Sequence, residues 1–303
     1  MTLGLVGDLM LARDVVALMY RHGSDYPFER VMPLLAGVDL LIGNLEGTFT
    51  NRGRRLDKYY TFRTPPEFAA GLRNAGFDAV SLANNHAIDF GPVSLSDTRR
   101  ALDAVGVGYF GAGENTTAAA SPLVLEAGGL EISVLGFSAV SSSVFAGTST
   151  PGVARATIQA VEEAVSVAAR ETDLVVVLFH FGREYDPGPT SEQRALARAA
   201  ADSGADLVAG HHAHTLQPWE RRGDALILYG LGNFVFDLDR DDLRTLGEGP
   251  FATAVAVVEL ADGRPPRVDF RPAYIDPDEN RPRPASESEA ARIRSALHET
   301  GVE

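Results

Sequence analysis

The amino-acid sequence predicts a layered α/β fold, on three observations. Short apolar runs recur along the chain and end in glycine, asparagine or histidine; helix-like segments separate several of them; and a strand-rich stretch closes the chain. Alternating strands and helices build a sheet covered by helices, because each helix must bury its apolar stripe against a neighbouring layer. With 303 residues, 45% of them apolar and 22% charged, the chain is long for one average domain and short for two. One large domain over residues 1–275 is therefore expected, with 276–303 as a linker and closing helix packed on it.

The runs at 3–6, 40–42, 79–82, 132–137, 174–179, 207–209 and 226–229 read as strands, since they are too short for core helices and apolar at consecutive positions. Helices are expected over 66–75, 93–105, 157–171 and 191–203; in the last, Ser191 is placed to cap and Gly204 to stop the helix. The stretches 252–260 and 268–274 read as an antiparallel continuation. Residues 276–289, rich in Pro, Asp, Glu, Arg and Ser, read as a surface linker. Beyond them Ser286 and Glu289 have capping-box spacing, and Ala290, Ile293 and Leu297 make one apolar helical face that should dock on the domain.

The net charge is −14, from 41 acidic against 27 basic residues, so a nucleic-acid backbone would be repelled and is not an expected partner. Arg52, Arg54, Arg55 and Lys58 form a local basic cluster, which could receive one anionic group, although a solvated loop is the commoner origin of such a cluster. There is no cysteine, so any metal must be held by nitrogen and oxygen. The chain opens MTLGLVGDLM, and no window reaches the roughly 18–20 apolar residues of a spanning helix, so a cytoplasmic location is expected.

Five of the seven histidines, His86, His180, His211, His212 and His214, follow apolar runs directly. Strand ends are where α/β proteins place ligands. His22 and His298 lie in helix-like stretches and lack that context. Asp8, after Gly7, leaves the first run; Asn44 and Glu46 leave the second, and Glu46 is a hard oxygen donor. Asn84, Asn85, His86 and Asp89 concentrate hydrogen-bonding side chains after the third run, with Asp89 spaced to orient His86. His180 is followed by Gly182, Glu184 and Tyr185. On an extended chain alternate residues face one way, so His212 and His214 should converge on one centre; imidazoles beside carboxylates suit Zn, Mn or Fe.

The motifs Gly7-Asp8, Asn44-Leu45-Glu46, Ala83-Asn84-Asn85-His86 with Asp89 and Gly91, His180-Phe181-Gly182-Arg183-Glu184-Tyr185, Gly210-His211-His212-Ala213-His214 with Gln217, and Tyr229-Gly230-Leu231-Gly232-Asn233-Phe234-Val235-Phe236-Asp237 run in order from residue 3 to about 240. Together they resemble the CapA family of poly-γ-glutamate capsule synthesis proteins. The resemblance implies a calcineurin-like metallophosphoesterase fold, a sandwich of two mixed sheets flanked by helices. That superfamily holds two metals with an Asp-x-His, a Gly-Asp-x-x-Asp, a Gly-Asn-His, a further histidine and a Gly-His-x-His. Carried over by position, Asp8 resembles the first aspartate, Glu46 the bridging carboxylate and Asn85 the amide ligand. His180, His212 and His214 resemble the remaining ligands, and His86 the general acid. Met10 stands where the histidine of Asp-x-His would fall, leaving one metal site short of a nitrogen, and either His211 or His212 could be the ligand, with even spacing favouring His212.

Three functions follow from the resemblance. The first is metal-dependent hydrolysis of a phosphoester or of an amide of γ-glutamyl type, using one or two divalent ions. Glu46, Asn85, His180 and His212 would hold one ion, and His86, oriented by Asp89 or Asn84, would protonate the leaving group. The second needs no metal: Asp8 and His214 act as an acid and base pair, as in epimerisation of a peptide residue. The third is a non-enzymatic component of capsule synthesis, whose members commonly carry a membrane anchor that this sequence lacks. A small-molecule or peptide substrate would meet Asn44, Asn84, Arg183, Glu184, His211 and Asn233. Arg13, Arg54, Arg55 and Arg63 are further positions that could grip an anionic group, although solubilising arginines are common.

Overall fold

A computed structural model of the chain describes residues 1–300. Two mixed sheets stack face to face. In the eight-stranded sheet, Thr2–Leu9 runs parallel to Leu40–Leu45, which is followed outward by Ala79–Ser81 and Gly108–Phe110, also parallel. On the other side Ala252–Ala261, Arg264–Asp276 and Arg281–Pro284 continue the sheet antiparallel, and Asn233–Val235 pairs with the end of Thr2–Leu9. In the six-stranded sheet, Leu130–Ser138, Leu174–His180, Leu207–His211 and Ala225–Leu231 are parallel, with Leu123–Ala127 and Leu216–Arg222 antiparallel at its edges.

The apolar runs are continuous because their strands are buried on both faces. Ile132, Val134, Leu174, Val176 and Leu178 point between the sheets and meet Leu3, Leu5, Leu40 and Ile42 of the other sheet. The alternate residues Leu135, Phe137, Val175, Val177 and Phe179 point outward and meet Val161, Val165 and Ala168 of helix Ile158–Glu171, and Leu196, Ala197 and Ala200 of helix Ser191–Asp202. Each large aliphatic side chain so buried contributes about 1.5–3 kcal/mol relative to exposure. The outer face of the first sheet is covered in the same way by helices carrying Val15, Met19, Leu72, Leu95 and Leu102.

Three expectations are adjusted. The cap of helix Ser191–Asp202 is Thr190, one residue earlier than Ser191; its hydroxyl accepts from the Gln193 amide while the Gln193 side chain returns to the Thr190 amide. The segment 66–75 is a 3₁₀ turn, Pro66–Ala69, running into a short helix, Ala70–Asn74. Within 276–289, Arg281–Pro284 is a strand on the sheet edge rather than linker. Its prolines are tolerated there because an edge strand need not donate every amide, and the same composition imitates a linker. The Ser286–Glu289 capping box forms, and Ile293 and Leu297 pack on Leu216 and Ala254. Among the described residues no helix is long and apolar enough to cross a membrane.

The strand register brings the polar residues together at one edge of the sandwich. Asp8 lies opposite both Asn44 and Asn233 in the first sheet, and His180 lies opposite His211 in the second.

Candidate active site

Each chemical group leaves the carboxyl end of a strand. Gly7 permits this by close approach: a Cβ there would lie 2.1 Å from the Gly232 carbonyl oxygen, on the strand pair that carries Asn233. Gly210 does the same before the histidines, where a Cβ would sit 2.0 Å from the Tyr229 carbonyl oxygen. Asp8 is fully buried. Its Oδ1 accepts from Asn44 Nδ2 at 2.8 Å, and its Oδ2 accepts from the His212 amide at 3.2 Å and faces His214 Nδ1 at 3.2 Å. Burial works against ionisation of Asp8, but the His214 hydrogen bond and charge, His211 and the Asn44 amide outweigh it and hold its carboxyl below the usual range.

Glu46 is equally buried and has no such partners. Its Oε2 bonds to nothing, and its Oε1 lies 3.8 Å from His86 Nε2, 3.9 Å from His180 Nε2 and 3.8 Å from His214 Nε2. Burial, together with the charges of Asp8, Glu184 and Asp89, pushes its carboxyl well above the usual range despite the opposing pull of His214. Burial alone would depress His214; Glu46, the hydrogen bond and charge of Asp8, and Asn233 reverse that and raise it to about 9. His212 goes the other way, to about 3, through burial and the neighbouring His214 charge. Its Nδ1 is buried without a partner.

The convergence of His212 and His214 does not come from an extended strand. The strand Leu207–His211 ends before them, and both adopt left-handed backbone, with φ of 85° and 54°. Tyr185, whose amide bonds the Ala213 carbonyl, shares that region at φ 63°, as does Arg13 at 55°. Such conformations cost about 1–3 kcal/mol each and persist where surrounding structure imposes them.

His86 is oriented as its spacing predicts. Its Nδ1 meets Asp89 Oδ2 at 2.7 Å, its ring packs on Phe62, and burial depresses its pKa more than Asp89 raises it. Asp89 Oδ2 also accepts from the Phe62 amide at 2.7 Å, and Oδ1 accepts from Lys58 Nζ at 2.5 Å. Lys58 further donates to the Asn85 carbonyl at 2.6 Å. Sequence reasoning missed these Lys58 contacts: the basic cluster reads as a solvated loop, but Arg55 donates to the Lys58 and Tyr59 carbonyls, and Lys58 turns inward to Asp89.

The residues expected to touch substrate divide. Asn44, Asn84, His211 and Asn233 are buried and spend their polar atoms on the scaffold: His211 Nε2 bonds the Val6 carbonyl of the other sheet at 3.1 Å, and Asn233 Oδ1 holds His214 Nδ1 at 2.9 Å. Arg183, Glu184 and Tyr185 are exposed in the loop after Leu174–His180 and remain available at the rim. Arg13 pairs with Asp237 and sits over the Tyr60 ring, whereas Arg63 stacks on Phe90 and bonds the Arg52 carbonyl, away from the centre. Met10 is buried among Phe62, Phe236, Phe251 and Tyr274 and accepts a contact from the Ala12 amide, so that position belongs to apolar core.

Among the described residues two groups bring donor atoms within 4.8 Å of one another: Glu46, His212 and His214, and Asp8, Glu46 and His180. Two residues of the first group each have a buried side-chain atom without a partner, Glu46 Oε2 and His212 Nδ1, and a carboxylate with two imidazoles is a donor set that suits a divalent ion such as Mn, Zn or Fe. In the second group Asp8 already accepts from Asn44 and the His212 amide, and Met10 stands in apolar core where a further nitrogen donor would be needed, so that group is the poorer donor set of the two.

The family model of the bacterial capsule synthesis protein PGA_cap matches residues 2–238. The chain is 38% identical over 240 residues to the PGA biosynthesis protein CapA of Bacillus subtilis (strain 168), covering 77% of this chain and 62% of that protein. It is 35% identical over 246 residues to the capsule biosynthesis protein CapA of Bacillus anthracis, covering 78% and 60% respectively. It thus spans about three fifths of the length of these relatives. Among solved structures, the 5'-nucleotidase precursor of Thermus thermophilus superposes with a TM-score of 0.55 at 15% identity, over 98% of this chain and 58% of that one. A hypothetical protein from the same organism superposes with a TM-score of 0.54 at 21% identity, over 89% and 99%. At such identities the likeness shows the fold, the calcineurin-like metallophosphoesterase sandwich, and no chemistry.

Proposed function

The chain belongs to the bacterial capsule synthesis protein PGA_cap family, and from that premise we propose that it is a hydrolase of capsule biosynthesis, centred on one divalent cation and acting on a phosphoester or an amide of γ-glutamyl type. The observation that carries this reading is the buried group Glu46, His212 and His214, whose donor atoms lie within 4.8 Å of one another and two of whose residues each have a buried atom without a partner, Glu46 Oε2 and His212 Nδ1. A buried polar atom without a partner costs about 1–3 kcal/mol, so two in one donor group mark a place suited to a cationic guest.

Glu46, His212 and His214 would hold the ion, which when bound supplies Lewis-acid polarisation of a phosphoryl or carbonyl oxygen. Asp89 keeps a proton on His86 Nδ1 and leaves Nε2 facing the interior, where it would take a proton from the attacking water and pass it to the leaving group. Lys58 and the Phe62 amide fix Asp89 for that task. Arg183 at the rim supplies a cation for an anionic substrate. Metal analysis of protein purified without chelator and supplied with Mn, Zn or Fe tests the reading: a single bound equivalent, lost in Glu46→Gln, is expected, and none in the wild type would refute it.

A second reading has its own observation, the Asp8 Oδ2 to His214 Nδ1 contact of 3.2 Å. With Asp8 held ionised and His214 raised to about 9, the two are a base and an acid at neutral pH, suited to proton abstraction beside a carbonyl. Deuterium uptake at a peptide α-carbon that survives chelation and disappears in Asp8→Asn would favour it; its absence with every peptide offered would count against it.

A further inference from the structure

The amides around His180 have only one self-consistent orientation. The His86 backbone amide donates to Asn84 Oδ1 at 3.0 Å, and Asn84 Nδ2 donates to the Leu45 carbonyl at 2.8 Å. Main-chain groups have fixed polarity, so Asn84 cannot be turned over. Asn84 Nδ2 also donates to Asn44 Oδ1 at 3.1 Å, and Asn44 Nδ2 donates to Asp8 Oδ1 at 2.8 Å. Reversing Asn44 would set its oxygen against the Asp8 carboxylate and its amino group against that of Asn84, two repulsions in a dry site.

Asn44 Nδ2 therefore directs its second hydrogen at His180 Nδ1, 3.2 Å away. That nitrogen must accept, so the ring proton of neutral His180 is on Nε2, where Asn85 Oδ1 accepts it at 2.8 Å. Asn84, Asn44 and His180 are all at most 1% exposed, which leaves no solvent to replace these partners.

We infer that Asn44 fixes His180 as a hydrogen-bond donor to Asn85, so that neither His180 nor Asn85 is a metal ligand and half-buried Asn85 keeps its Nδ2 hydrogens for a substrate oxygen. Coordination through His180 Nε2 would require removing its proton while an amino group faces Nδ1, leaving a ring with no proton on either nitrogen. Asn44 is thus a positioning residue. The tautomer stands independently of the hydrolase proposal; the consequence for the ligand set rests on it.

Long-range proton–nitrogen NMR of the histidine-labelled, chelator-treated full chain tests the tautomer, with the His180 signals identified by their loss in His180→Gln. The expected spectrum has His180 Nδ1 of the unprotonated type and Nε2 of the protonated type; the reverse overturns the inference. Asn44→Asp, which exchanges the donor for an acceptor, should invert the pattern, and the wild-type spectrum decides the matter if that variant does not fold. Zinc added to the wild type should leave the His180 Nε2 proton in place, and His180→Gln should keep its bound equivalent. Loss of that proton, or of the metal in His180→Gln, overturns the ligand assignment. Failure of the wild type to bind zinc refutes the hydrolase proposal instead, while the metal-free spectrum still decides the tautomer.

Discussion

Asp8 and Glu46 stand at the carboxyl ends of neighbouring strands of one sheet, are buried to the same degree and lie beside the same histidine, His214, yet their surroundings are opposite. Every oxygen of Asp8 meets a donor, whereas Glu46 has one oxygen with no partner and another standing 3.8–3.9 Å from three imidazoles. One carboxyl is consequently drawn down and the other pushed up. The contrast teaches that burial alone assigns no role. Asp8 is a charge built into the scaffold, and Glu46 is a charge the scaffold leaves uncompensated, to be satisfied by a proton or a cation.

The sharpest way to break that comparison is to remove each carboxylate. Asp8→Ala strands the His214 imidazolium and an Asn44 amino hydrogen, and should destabilise the fold by about 3–5 kcal/mol in urea unfolding. Glu46→Gln should change stability by less than about 1 kcal/mol, because an amide introduces no buried charge. Equal losses would erase the distinction. Next in size, an ion such as Zn at about 100 times its dissociation constant should stabilise the wild type by about 2.7 kcal/mol in thermal unfolding, and Glu46→Gln not at all.

Lys58→Met probes the satisfied side from its outer end. Losing a charged donor to Asp89 should cost about 1.5–3 kcal/mol in denaturant unfolding, with the acceptor left in place. pH provides another test on metal-free protein. The folded pKa of His214 is raised from 6.5 to about 9, so its stabilising contribution is complete below pH 6.5 and lost as pH rises through 9. Unfolding measured across that window should show the decline in wild type and not in His214→Gln. The smallest effect lies far from the centre, at Glu289, whose bond to Arg283 lowers it from 4.5 to about 2. Its contribution is present above pH 4.5 and lost as pH falls through 2, and should appear as faster amide exchange confined to helix Glu287–Ala296.

Much of this arrangement was legible without coordinates. Strands buried on both faces leave unbroken apolar runs such as 174–179, and the polar residue ending each run marks the site edge, which is why Asp8, Glu46, His86, His180 and His214 could be named. The capping box at Ser286 and the Asp89–His86 pair were readable because both are made three residues apart. Only the tertiary structure decided what those groups meet. Lys58 reaches Asp89 across 31 positions, Asn44 reaches His180 across 136, and His211 ties to Val6 across 205. Local spacing sets where a side chain leaves the backbone; whether its atoms are then satisfied or orphaned depends on partners that folding brings from elsewhere, and here that difference separates Asp8 from Glu46.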